Sequence, residues 1–263
     1  MISQGVVSAL HHSVCALGVR LVDQFQHEKE PTAAHFEIIG TGFAVSDCLV
    51  LTNRHVLEAM RAYADTNGYT REDFYAQFVT PKADGWSLHF CRIGAVGVCS
   101  YQDEDIGLVH MAGLPTLGHR AVSFRSPATL HPGCELALLG YADGVKLQQS
   151  NHGAVFQEDL YRFGPILQQG YLSAIAPMHG CGQATRLLLD IRTTGGLSGS
   201  PVFLPNTGEV VGVHFASNKT TTAFAVPLDE GRVRTYVENF QLEVAKWIES
   251  GHPADSDTSH VTN

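Results

Sequence analysis

The chain carries little charge and never concentrates it. Only 16% of its 263 residues are charged. No dense run of Lys and Arg occurs, so the electrostatic footprint of a nucleic-acid or anionic-membrane binder is missing. The formal net charge of −9 gives no long-range attraction for acidic substrates either. No apolar stretch approaches the roughly 20 residues that span a bilayer. The opening sequence MISQGVVSALHHSVCALGVR lacks the basic segment, apolar core and small-residue cleavage site of an export signal. It reads as mature protein, with a cytoplasmic location expected. No CxxC pair is present: Cys15, Cys48, Cys91, Cys99, Cys134 and Cys181 are irregularly spaced. In a chain of this size without an export signal they are expected to be reduced and mostly buried. His11 and His12 are adjacent, diverge on a strand or a helix, and make a poor metal pair. No metal and no cofactor is expected, and the sequon at Asn218 carries no weight in a protein that is not secreted.

What the sequence does have is short apolar runs separated by turn residues. The 26 glycines and 11 prolines favour many turns over long helices. Residues 36–45 (FEIIGTGFAV) and 49–52 read as a strand pair across a tight turn, followed by a short helix from His55. Residues 74–79, 88–93, 95–99 and 106–111 read as further strands, and 135–141, 170–175, 186–190, 201–204, 210–215 and 223–226 continue the pattern. This density of strands without βαβ alternation predicts an all-β sandwich or barrel. From Asp229 onward, Val233, Val237, Phe240, Val244 and Trp247 recur at helical spacing, with Asp229 as a cap. This helix is expected to dock on the barrel. Residues 143–165 read as loop and the final PADSDTSHVTN as a disordered tail.

Three segments carry chemistry. GTGFAVSDCLVLTNRHV (40–56) sets His55 just after a buried strand. DEDIGLV (103–109) sets Asp105 before another. TTGGLSGSPVF (193–203) sets Ser198 in a glycine-rich turn. A serine hydroxyl is a poor nucleophile until a base takes its proton, and a neutral imidazole can do so near neutral pH. A carboxylate behind the imidazole fixes its tautomer. The N–H groups of Gly196 and Ser198 could converge on a developing oxyanion. Asp103 would share a strand face with Asp105, so the carboxylate assignment is not unique. Ser200 is also near, but proline follows it and it lacks the preceding Gly-x.

In their order His, Asp, Ser, these segments resemble the chymotrypsin- and trypsin-like peptidases of bacterial type. DIRTTGGLSGSPVF with GEVVGVH, and LTNRHV, are closest to the serine and histidine motifs of the glutamyl endopeptidases. The likeness runs over about residues 36–230. It implies two antiparallel six-stranded β-barrels with a C-terminal α-helix. The first barrel (10–115) would carry His55 and Asp105, and the second (116–228) Ser198, followed by the helix (229–250) and tail (251–263). It also implies a serine endopeptidase working through an acyl-enzyme on polypeptide substrates. His214 falls where glutamyl endopeptidases have a pocket histidine, and Thr193 matches their pocket threonine. Arg192 lies near the pocket base of related enzymes, so all three are substrate-binding candidates and Glu or Asp before the scissile bond is the expected preference. In zymogen-type relatives an aspartate that pairs with a freed N-terminus precedes the nucleophile; Leu197 cannot make that pair. The chain is therefore expected to be active as made or to be switched by a regulatory protein partner. A catalytically silent binding module and an esterase with the same machinery are the alternatives.

Overall fold

The computed structural model describes residues 2–21, 36–82, 85–98, 104–111, 120–142, 164–177, 183–218 and 222–249. Among the described residues twelve strands form two closed antiparallel barrels. The first is ordered β1(Val14–Arg20), β2(Phe36–Ala44), β3(Leu49–Thr52), β6(Gly107–Met111), β5(Gly85–Val98), β4(Phe74–Lys82), and β4 pairs back to β1. The second is ordered β10(Pro201–Phe203), β11(Val210–Ser217), β12(Ala223–Pro227), β9(Arg186–Leu189), β8(Ile166–Ala176), β7(Glu135–Gly140), closing through β7 and β10. Helix α1(Gln4–His11) precedes β1, α2(Arg54–Asn67) follows β3, and α3(Glu230–Glu249) follows β12. The fold is the chymotrypsin-like double barrel with a C-terminal helix.

Many strands bury both faces. On β3, Leu49 and Leu51 belong to the cluster between the barrels and under α3, while the alternate residue Val50 points into the first barrel. On β7, Ala137 and Leu139 face the shared cluster, while Leu136 and Leu138 fill the second barrel. A strand serving two cores has no polar face, so it reads as an unbroken apolar run rather than an alternating one.

Strand β1 and helix α1 have no counterpart among the elements expected from sequence. β1 (VCALGVR) is buried at six of its seven positions. α1 is capped by the Ser3 hydroxyl, which accepts from the Val6 N–H at 3.2 Å. The two expected strands 88–93 and 95–99 are one strand, β5, irregular in register between Ile93 and Ala95. α3 starts as expected: Asp229 Oδ1 accepts the Arg232 N–H at 2.9 Å. Val233 and Phe240 are buried beneath it, and Val237 and Val244 pack against the same cluster. Cys15, Cys48, Cys91 and Cys134 are unpaired thiols, Cys15 and Cys91 buried; burial pushes both of these thiols up, Cys91 to about 11. Cys99, Cys181, most of the 143–165 loop and the tail lie outside the described residues.

Candidate active site

His55 and Asp105 meet where β3 runs into α2. His55 occupies the second position of α2, one residue beyond Arg54 and two beyond the N-cap Asn53. Its Nδ1 lies 2.5 Å from Asp105 Oδ2, and its backbone N–H donates to Asp105 Oδ1 at 3.0 Å. Because the carboxylate can only accept, Nδ1 carries the proton, which leaves Nε2 as the basic nitrogen. Burial raises the Asp105 carboxyl. The two hydrogen bonds from His55, the His55 charge and Arg54 act the other way and leave it below its ordinary value.

Asn53 does not cap α2 with its side chain. Its Nδ2 donates instead to the Asp105 carbonyl at 2.8 Å, while Arg54 Nη2 donates to the Glu104 carbonyl at 2.8 Å. The three consecutive residues 53–55 thus grip the 104–105 segment. Asp103, the other carboxylate considered from sequence, lies outside the described residues.

Two tight turns share Leu197, and Ser198 is the second residue of the later one. Leu197 N–H donates to the Thr194 carbonyl at 3.4 Å, and Ser200 N–H donates to the Leu197 carbonyl at 3.1 Å. The third residue of each turn is a glycine with positive φ, Gly196 at 80° and Gly199 at 87°, as a type II turn requires. Gly199 is doubly constrained. A Cβ there would lie 1.9 Å from the Thr41 carbonyl oxygen and 2.5 Å from Thr52 Oγ1. The second turn is pinned to β11, with Gly199 N–H donating to the His214 carbonyl at 2.8 Å and His214 N–H to the Ser200 carbonyl at 2.9 Å. Among the described hydrogen bonds, the N–H groups of Gly196 and Ser198 have no protein acceptor.

Thr41, fully buried on β2, joins this turn to the histidine side. Its N–H donates to the Ser198 carbonyl at 2.8 Å, and its Oγ1 donates to the Gly196 carbonyl at 2.9 Å. The same Oγ1 accepts the Tyr141 N–H at 2.9 Å, and its carbonyl accepts Thr52 Oγ1 at 2.6 Å. Thr52 ends β3, three residues before His55. Gly40 measures the closeness: a Cβ there would come within 2.6 Å of the Val56 side chain and 3.2 Å of the Ser198 carbonyl oxygen. The half-buried Ser198 and the residue next to His55 therefore flank one atom position.

The model of the trypsin-like peptidase domain matches residues 40–213, the span from the close approach at Gly40 to β11. The chain belongs to the trypsin-like peptidase family. No curated protein sequence matches it. Among solved structures it resembles Deg5, with 18% identity and a TM-score of 0.53 over 89% of this chain and 90% of that one. It also resembles the inactive form of Rv3671c from M. tuberculosis H37Rv carrying a serine-to-alanine substitution. There the identity is 15% and the TM-score 0.53, over 90% of this chain and 91% of the other. A second inactive form of the Rv3671c protease aligns at 17% identity with a TM-score of 0.53, over 90% and 93% of the two chains. At these identities the likeness is one of fold.

In this trypsin-like peptidase the three specificity candidates stand differently. His214 is 2% exposed, and its Nδ1 lies 3.1 Å from the Phe224 carbonyl, so Nδ1 is the donor. Burial holds His214 down to about 4; the Phe224 hydrogen bond opposes this and the His55 charge adds to it. Thr193 is half-buried, with its Oγ1 shielded from solvent and without a hydrogen-bond partner among the described residues. Arg192 is exposed. Leu197 is fully buried in the apolar cluster of the second barrel. Ser200 is also fully buried, with its hydroxyl packed against Gly140. Thr41, Asn53, Arg54 and Glu104 were not singled out from sequence. Only the pairing of Asn53 and Arg54 with His55 inside LTNRHV offered a local hint.

Proposed function

We propose that the chain is a serine endopeptidase that cleaves polypeptides through an acyl-enzyme. Ser198 is the nucleophile, His55 the general base and Asp105 the carboxylate that holds its tautomer. The single observation that carries this is the His55–Asp105 pair, 2.5 Å apart at Nδ1, with the Ser198 turn bonded through Thr41 to the strand leading into His55. In the forward step Ser198 Oγ attacks the peptide carbonyl as Nε2 of His55 takes its proton. The oxyanion is met by the N–H groups of Gly196 and Ser198, which have no acceptor among the described residues, and the leaving amine then receives the proton. Water repeats the sequence on the ester. Leu197, buried in apolar surroundings, supports activity that needs no N-terminal ion pair beside the nucleophile.

An acidic residue before the scissile bond is the preferred substrate feature. The shielded Thr193 hydroxyl, without a partner among the described residues, and the buried His214 support it. With Nδ1–H committed to Phe224, neutral His214 offers only a lone pair at Nε2. A substrate carboxylate then binds together with a proton, whereas a carboxamide could donate to the neutral ring. Peptides with Glu are therefore expected to gain on their Gln counterparts as pH falls from 8 to about 6.

A fluorophosphonate probe, which reacts with activated serines, tests the central reading. Wild-type protein is expected to label at Ser198, and Ser198→Ala is expected neither to label nor to cleave a peptide library, losing about 10⁴-fold or more in rate with an unchanged melting temperature. Wild-type protein that stays unlabelled, or labels elsewhere, rejects the assignment. Cleavage dominated by Lys, Arg or large apolar residues rejects the acidic preference alone.

A further inference from the structure

Both contacts that the Asp105 carboxylate makes among the described residues come from His55, at its backbone N–H and at Nδ1. Among the described residues no other side chain donates to the carboxylate. Its aim is therefore set by its own backbone and by whatever fixes that backbone. Asn53 and Arg54 hold the carbonyls of Asp105 and Glu104 from the first barrel. The third hold comes from elsewhere. The Glu104 carboxylate accepts hydrogen bonds from Arg232 Nη2 and Tyr236 Oη, both on α3.

The far side of this clamp is itself fixed. Arg232 Nη1 donates to the Pro227 carbonyl at 2.7 Å, and its backbone N–H donates to Asp229 Oδ1 at 2.9 Å. Pro227 pairs with Gly212 of β11, the strand whose His214 carbonyl holds Gly199 beside Ser198. Tyr236 is 5% exposed, and the Glu104 and Arg232 side chains are 23% and 19% exposed. These groups are shielded enough to hold one geometry, unlike an exposed surface pair.

We propose that Glu104, gripped by Arg232 and Tyr236 of α3, is a positioning residue that aims the Asp105 carboxylate at His55. The proposal rests on the serine-peptidase reading of the site. Releasing Glu104 lets the 104–105 peptide turn, and a hydrogen bond as short as the one at Nδ1 is sensitive to small rotations. A misaimed carboxylate stabilises the imidazolium less.

The test measures the full-length chain on a fluorogenic peptide across pH. Glu104→Ala is expected to lower kcat about 10–100-fold, with KM within about twofold and the acid limb of the rate profile moved to lower pH. Glu104→Gln keeps an oxygen for Arg232 Nη2 and turns its N–H₂ toward the Tyr236 hydroxyl, which can accept instead of donate, and it is expected to recover kcat to within about threefold of wild type. Val233→Ala, a buried position on the same helix, is expected to lower the melting temperature and leave the acid limb in place. If Glu104→Ala lowers only the melting temperature, the positioning role is overturned. Should Glu104→Ala fail to fold, Tyr236→Phe carries the test with a smaller shift in the same direction, and an unshifted profile there overturns it. A wild-type chain that neither labels nor cleaves rejects the peptidase reading instead. The downfield proton resonance of His55 Nδ1–H then decides: its loss or upfield movement in Glu104→Ala supports the clamp, and an unchanged signal overturns it.

Discussion

The two sides of the site are built by different means. The histidine side is held by side chains: Asn53 and Arg54 reach across to carbonyls of the 104–105 segment, and His55 bonds the carboxylate twice. The serine side is held by backbone, in two consecutive turns whose third residues take positive φ. Each half also depends on the other. Thr41 of the first barrel holds the Ser198 turn, and α3, which follows the second barrel, holds Glu104 beside Asp105. Side-chain contacts can be removed singly with modest loss of fold. A backbone turn packed against another strand fails as a unit. The chemistry is thus exposed to point substitution on one side and to conformational substitution on the other.

The largest effect that separates the two sides is expected at Asp105. Asp105→Asn keeps an acceptor for the His55 N–H but turns an amide N–H₂ toward Nδ1, so the ring takes the wrong tautomer. The expected loss in kcat is about 10⁴-fold with the fold intact, whereas Asp103→Asn leaves the rate near wild type. Steady-state kinetics on both variants checks this, and the reverse result moves the carboxylate assignment to residue 103.

On the serine side the corresponding break should cost the fold. Gly199→Ala sets a Cβ 1.9 Å from the Thr41 carbonyl oxygen at φ 87°. The expected destabilisation is more than about 4 kcal/mol in urea unfolding. Gly68, at the end of α2, has a similar φ of 74° but nothing within 4 Å of the added atom. Gly68→Ala is expected to cost only about 1 kcal/mol and to leave turnover unchanged. Equal losses at the two glycines would mean that φ alone, rather than the approach of Thr41, decides the cost.

Thr41→Val probes the link between the sides. It keeps the shape but leaves the buried Gly196 carbonyl and Tyr141 N–H without their partner. We expect a loss of about 2–4 kcal/mol in stability and roughly tenfold in kcat, read by thermal melting and kinetics on the same sample. A stability loss without a rate loss would leave Thr41 as a packing residue.

A further effect is in the pH dependence of stability, and it should fall in two windows. His214 is held down to about 4 from an ordinary 6.5. Between those values the unfolded chain binds a proton that the folded one does not. Its contribution is complete above pH 6.5 and declines as pH falls toward 4, by roughly 3 kcal/mol. Asp105 is also depressed, through its His55 contacts against the cost of burial. Its contribution is present above the ordinary carboxylate value and is lost only at lower pH, as the folded value is passed. Urea midpoints from pH 8 to 3 should show His214→Gln flattening the upper window and Asp105→Asn the lower.

Much of the fold was legible because turn residues bracket the strands, and the strand at 49–52 and the capped start of α3 fall where sequence set them. Strand β1 was not legible, because no glycine or proline separates it from α1 and Gly18 interrupts its apolar run. Gly94 marks an end between 88–93 and 95–99 in the sequence, whereas β5 absorbs it as an irregularity in register. In the site, the glycine turn and the residue types at 55, 105 and 198 stood out locally. Thr41, Asn53 and Glu104 did not. Their partners lie 155, 52 and up to 132 residues away, and a hydrogen bond across such a separation leaves no periodic or local mark.

The sequence by itself determined the class of fold, the positions where only glycine can make the turn, and the three functional groups on offer, because each follows from local chain chemistry. Only the tertiary structure decided that Asp105 turns its carboxylate to Nδ1, that Thr41 binds the serine turn, and that a helix following the second barrel grips the first. Those are distances between points far apart along the chain. They exist only once two barrels and α3 have buried a common apolar cluster and fixed their mutual orientation.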